Sequence, residues 1–222
     1  HNDIIRINAD YGLIELATPL RASYTDTTKV VRITSAKNFT IKNGTLLDSS
    51  PYKNMRGFGG AGSGESIHYI DNISFENLKV EGFESGVVFL ANSRNIRATD
   101  CDFTMGGMDI DITNRQGFQL RHCEKVLISG CTFRGVSMPL YTASGYEQYG
   151  QSRDIVFSNN NLSYIKEDER FQSGGINETG VDYIGLQIYH ADNYIISNNI
   201  IHGSESFGIY GLGGSCVISD NI

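Results

Sequence analysis

Apolar and polar residues alternate in short bursts along this chain, and the bursts are copies of one another. "NFTIKNGTL" begins at Asn38, "NISFENLKV" at Asn72, "NIRATDCDF" at Asn95, "KVLISGCTF" at Lys125, "DIVFSNNNL" at Asp154, "NYIISNNII" at Asn193 and "SCVISDNI" at Ser215. Stacked, the second place reads Phe39, Ile73, Ile96, Val126, Ile155, Tyr194, Cys216. The fourth reads Ile41, Phe75, Ala98, Ile128, Phe157, Ile196, Ile218, and the ninth Leu46, Val80, Phe103, Phe133, Leu162, Ile201. All are apolar. The sixth place is Asn43, Asn77, Asp100, Gly130, Asn159, Asn198, Asp220, the residue types that best tolerate left-handed backbone. Each phrase therefore predicts a short strand with alternate residues inward, a tight bend and a second strand.

The phrases start 34, 23, 30, 29, 39 and 22 residues apart. The shortest spacings fit one turn of a parallel β-helix, where each strand pairs with its copy about 4.8 Å along the axis. The longer ones are the same turn carrying loops. A β-sandwich of repetitive strands is the alternative, but it gives no reason to keep one turn residue in one column. The seventh place, Gly44, Leu78, Cys101, Cys131, Asn160, Asn199, Asn221, predicts amides stacked along the axis. Cys101 and Cys131 fall on adjacent turns, close enough in principle to bridge, but read as packed, reduced thiols, and Cys216 reads as a core residue.

The surplus residues gather in 48–66, 136–152 and 164–180, with a smaller excess in 111–123. All leave after the ninth place, so they project from one sector, where function is usually carried. A third strand follows them in "GVVFLAN" (86–92), "GFQLRHC" (117–123), "GLQIYHA" (185–191) and "GIYGLGG" (208–214), with Gln119, Arg121, Gln187, Tyr189 and Tyr210 outward. The third place of the phrase also points outward: Thr40, Ser74, Arg97, then Leu127, Val156, Ile195, Val217. Four successive branched aliphatics there predict a covered surface, with a symmetric oligomer contact as the simplest cover.

The chain has 222 residues and a net charge of −7. An acidic balance argues against nucleic acid as a partner. No run reaches transmembrane length, so no membrane partner is expected, and no basic-then-apolar leader opens the chain. Four cysteines do not make a disulfide scaffold. The pattern reads as one domain over 1–222, with N-terminal turns in 1–30 and repeated turns in 31–222. It stops at Ile222 inside a phrase, which predicts a fragment of a longer protein.

Candidate chemistry is sparse. "GFGGAG" (57–62) neither follows a strand nor opens a helix, so it fails as a dinucleotide loop. Asp109 and Asp111 in "MDIDIT" would both face outward with Cα atoms about 6.6 Å apart. Inverting glycosidases hold their carboxyl groups roughly 6.5–9.5 Å apart, so the two are either an acid–base pair or solvated aspartates. Asp182, Glu178 and Glu147 lie in or beside the neighbouring loops. Arg121, His122 and His190 close outward strands and suit a base or the grip on an acidic sugar. Tyr141, Tyr146 and Tyr149 belong to a set of loop aromatics suited to stacking on sugar rings. No cluster has metal-ligand spacing, so no cofactor is expected beyond a weakly held Ca²⁺.

The columns over 38–222 resemble the pectate-lyase-like superfamily of right-handed β-helices. The Asn-rich phrases, one-sided loops and aliphatic stripe are most similar to phage tailspike depolymerases. The resemblance implies an all-β, single-stranded right-handed parallel β-helix of about seven coils, with loops on one side. It also implies a homotrimer packed through Leu127, Val156, Ile195 and Val217, an extracellular or virion-tail location, and hydrolysis of a bacterial surface polysaccharide by outward carboxylates. On that reading Asp109 and Asp111 are catalytic, and Arg121, Tyr141, Tyr146, Tyr149, Asp182, Gln187, Tyr189 and His190 bind substrate. A non-catalytic fibre or adhesin and a secreted polysaccharide lyase are the alternatives. The polygalacturonase Asp-Asp and Gly-His-Gly signatures are absent, and the pectate lyase Trp-x-Asp-His motif cannot occur without Trp, so no catalytic residue carries over by motif.

Overall fold

The computed structural model describes residues 4–8, 13–16, 36–47, 56–58, 67–83, 86–104, 116–136, 138–142, 151–163, 184–189, 191–202, 207–212 and 214–222. The chain divides into two compact units, His1–Thr34 and Ser35–Ile222. In the first, β1 (Ile4–Asn8) pairs antiparallel with β2 (Leu13–Leu16).

The second unit is all-β among the described residues, and its pairings are parallel. Its strands fall into three rows. The first holds β3 (Ala36–Leu47), β6 (Ile70–Glu81), β8 (Arg94–Thr99), β11 (Glu124–Ser129), β14 (Ser152–Ser158), β17 (Ala191–Ser197) and β20 (Cys216–Ser219). The second continues from the far halves of β3 and β6 through β9 (Asp102–Thr104), β12 (Thr132–Arg134), β15 (Asn161–Ser163) and β18 (Ile200–His202). The third is a separate sheet of β4 (Arg56–Phe58), β7 (Gly86–Ala91), β10 (Gln116–Arg121), β13 (Met138–Thr142), β16 (Ile184–Tyr189) and β19 (Phe207–Leu212), with β5 (Ile67–His68) against the end of β7. From β8 onward the chain visits rows one, two and three in turn.

Every copy of the repeated phrase is in register with the next. Ile73 pairs with Ile96, Ile96 with Val126, Val126 with Ile155, and Ile155 with Tyr194. The bend column Asn43, Asn77, Asp100, Gly130, Asn159, Asn198, Asp220 has positive φ throughout, between 48° and 69°. A second left-handed column, Asn38, Asn72, Asn95, Lys125, Asp154, Asn193, opens the phrase, and Tyr69, Asn92 and His122 form a third where row three turns into row one. These corners let a strand leave one row and enter the next within one or two residues.

The inward columns close into one core. Phe75, Phe103, Phe118, Phe133 and Phe157 are fully buried. Phe103 and Phe133 stack at 5.1 Å, and Phe118 meets Phe103 edge-on at 5.5 Å, tying row three to row two. Edge-to-face and offset rings add roughly 0.5–1.5 kcal/mol per pair beyond area burial. The seventh column is a buried amide ladder. The Asn160 Nδ2 donates to Asn199 Oδ1 at 3.0 Å, and Asn199 Nδ2 to Asn221 Oδ1 at 2.8 Å. Asn160 Oδ1 in turn accepts from the Cys131 backbone N–H at 2.9 Å.

Two expectations change. Cys216 keeps its inward register opposite Tyr194 but is exposed, because β20 pairs only with β17 among the described residues and nothing described covers its other edge. Phe39 on β3, at the other end of the row, is 51% exposed for the same reason. The stretches 48–66 and 136–152 are not loop throughout, since they contain β4 and β13 of row three. Pro139 hid β13 from the alternation pattern, because proline is rare inside a sheet. It is accommodated opposite Gly117, where any Cβ would meet the Pro139 carbonyl oxygen at 2.4 Å.

Candidate functional site

The outer face of row three is built by register. Phe89, Gln119, Tyr141, Gln187 and Tyr210 stand side by side on β7, β10, β13, β16 and β19. The strand neighbours Val88, Phe118 and Leu140 are buried in the core, so Phe89, Gln119 and Tyr141 lie on the opposite face. Neighbours in such a row are about 4.8 Å apart, so the five positions span the axis as a continuous strip.

The strip is not open along its whole length. Phe89 and Gln119 are 2% and 5% exposed. Gln119, expected on an open face, is thus covered by the protein itself. Tyr141 is the next described side chain of the strip, and it is half-buried. Arg121 ends β10 beside Ala91 of β7. It is partly buried, and its Nε is buried with no hydrogen-bond partner among the described residues. An unsatisfied buried donor costs about 1–3 kcal/mol.

Of the expected substrate-binding residues, the structure brings Arg121 and Tyr141 to one face and places the backbone of Gln187 and Tyr189 on β16 next to them. Asp109, Asp111, Tyr146, Tyr149, Asp182 and His190 lie outside the described residues. His122 sits at a left-handed corner with φ 55°.

A second polar surface escaped the sequence reading. A groove of about 480 Å³ runs across the bends, lined by Asn43, Asn77, Asp100 and Gly130 and by Lys79, Asp102 and Thr132 beyond them, with Cys101 in its wall. Two of its charged groups, Asp102 and Lys79, are paired. Asp102 accepts from the Thr104 hydroxyl at 3.4 Å and lies 3.9 Å from the Arg134 guanidinium, and Lys79 pairs with Glu81 at 2.7 Å. The signal was present in the sequence, since the eighth place reads Thr45, Lys79, Asp102, Thr132 and is outward by alternation. Among the described residues no group of three or more His, Cys, Asp or Glu side chains is placed to hold a metal ion.

No protein-family model matches the chain, and neither a curated protein nor a solved structure matches it. The site therefore rests on its own geometry.

Proposed function

We propose that this chain is a right-handed parallel β-helix of the phage tailspike type that binds a bacterial surface polysaccharide along row three and hydrolyses it. The cyclic order of the three rows supports the helix, and parallel crossovers are right-handed in about 98% of cases. The observation that carries the functional reading is the partly exposed Tyr141 on the outer face of row three, with Arg121 on the same face of the neighbouring strand. An aromatic face beside a guanidinium suits a sugar ring that stacks on the one and is held by the other. Asp109 and Asp111 precede β10 in the chain. One protonates the glycosidic oxygen, and the other takes a proton from the water that attacks the anomeric carbon. Arg121 holds an acidic substituent. Three copies assemble through the aliphatic stripe, and the protein works outside the host cell or on a virion tail.

The test is the release of reducing ends from capsular or O-antigen polysaccharide. The intact protein is expected to shorten a cognate polymer, with Asp109→Asn and Asp111→Asn each lowering the rate at least 100-fold, roughly the contribution of one general acid or base. Cleavage that survives both substitutions but falls in Asp102→Asn would move the chemistry to the groove across the bends. Binding without shortening of any polymer leaves the adhesin reading.

A further inference from the structure

Cys101 and Cys131 occupy the seventh column one repeat apart, where the amide ladder gives way to sulfur. Register holds on both sides of them, with Thr99 opposite Ser129 and Asp102 opposite Thr132, and the Thr132 N–H donates to the Cys101 carbonyl at 2.8 Å. In-register neighbours on parallel strands have Cα atoms about 4.8 Å apart, inside the roughly 4.4–6.8 Å range of disulfides. Both thiols are free and buried. Cys101 forms part of the groove wall, which gives a small reagent a route to the pair.

We propose that Cys101 and Cys131 form an oxidisable dithiol, a modification site whose disulfide ties two neighbouring repeats together beneath the groove. The electrostatics agree with this geometry. Interaction with Cys131 holds the Cys101 thiol below its ordinary value, and the same interaction raises Cys131, while Cys101 Sγ also donates to the Thr99 carbonyl at 3.3 Å and Cys131 Sγ to the Ser129 carbonyl at 3.5 Å. Cys101 is therefore the attacking thiolate, and Cys131, which keeps its proton longer, is the resolving thiol. Cys123, by contrast, is pushed up to about 12 by burial and has no thiol next to it in its column, where Ser93 and Ser152 stand on either side.

With a peroxide as oxidant the steps balance. The Cys101 thiolate attacks one peroxide oxygen, the O–O bond breaks and hydroxide leaves, giving a sulfenic acid at Cys101. The Cys131 sulfur then attacks Cys101 Sγ, the S–O bond breaks and the departing hydroxide takes up the Cys131 proton. Two thiols lose two electrons and two protons in all, and the peroxide becomes two waters. Closing the bond draws the two Cβ atoms from strand spacing toward about 3.8 Å. The resulting strain makes this a readily reduced disulfide rather than a permanent staple.

The proposal does not depend on the polysaccharide reading. It is tested by treating the folded full chain, carrying Cys216→Ser to remove the exposed thiol, with graded hydrogen peroxide and mapping peptides without reduction. The expected result is one cross-linked peptide pair joining Cys101 to Cys131, two hydrogens lighter than the dithiol, reversed by dithiothreitol, with Cys123 still a thiol. In a Cys131→Ser background the expected product is a sulfenic acid at Cys101 that a dimedone reagent traps. The proposal is overturned if both residues stay reduced at peroxide levels that oxidise Cys216 in the unaltered protein. It is equally overturned if the cross-link forms only once near-ultraviolet dichroism shows the fold is lost.

Discussion

Lys125 stands out in its column. Five of the six left-handed residues that open the phrase are Asn or Asp, and Lys125 holds φ 55° without a short polar side chain to ease it. Non-glycine residues in that region cost about 1–2 kcal/mol, least for Asn and Asp. Lys125 is exposed, so Lys125→Asn removes strain without disturbing packing. Chemical denaturation is expected to show a gain of about 0.5–1 kcal/mol, and a loss would mean that Lys125 has an undetected structural role. At this scale the sequence was only half legible. The sixth place was recognisable as a bend because Gly, Asn and Asp alone occupy it. The first place was not, because Lys125 and Ser215 break the pattern and adjacent positive-φ corners leave no separate mark in apolar periodicity.

Along the first row runs an element that alternation cannot reveal. The position before each of the first six phrases reads Lys37, Asp71, Arg94, Glu124, Arg153, Asp192, all paired in register, so opposite charges alternate up the sheet. Arg94 meets Asp71 at 2.8 Å and Arg153 meets Glu124 at 2.9 Å. A slip by one strand would set like charges together, so the ladder favours the observed stacking. The Arg94 guanidinium, bonded to Asp71, holds that carboxyl below the usual carboxylate range. A depressed folded value means Asp71 contributes stability above its unfolded value near 3.9, and loses it as pH falls through the lower folded value. Thermal melts of Asp71→Asn are expected to be lower than those of the unaltered protein at neutral pH, and to converge with them as pH falls through the depressed folded value. An undiminished gap in acid would show that the charge is irrelevant. The ladder was missed because it pairs residues 23 to 39 positions apart, whose partnership appears only once the register is fixed. β13 was missed for a different reason, since proline and the lack of an opening glycine disguise it.

At the scale of the molecule, the core and the outward stripe were both legible, because strict alternation settles which face a residue takes once the strands are parallel and in register. Leu127, Val156, Ile195 and Val217 do stand in one row, and Ile195, away from the uncovered edge of β20, is 39% exposed. Ser129, Ser158, Ser197 and Ser219 run beside them, small enough to let a second sheet approach. If this face is the subunit contact, light scattering is expected to give a trimer for the intact protein and a monomer for Val156→Lys with Ile195→Lys, while a monomer before substitution removes the stripe as an interface. The candidate site was less legible. A strip can be read from register, but whether it is open cannot, since Gln119 and Tyr141 occupy equivalent positions and only one is accessible.

The central claim is that the accessible part of row three grips a polysaccharide, and Tyr141 is the described side chain that tests it most directly. Binding of the cognate polymer should be measured for the intact protein, for Tyr141→Ala and for Lys125→Asn, which leaves the face untouched. The account predicts that Tyr141→Ala weakens binding at least tenfold, about 1.4 kcal/mol, while Lys125→Asn binds as the intact protein does. Equal affinity in all three would contradict it.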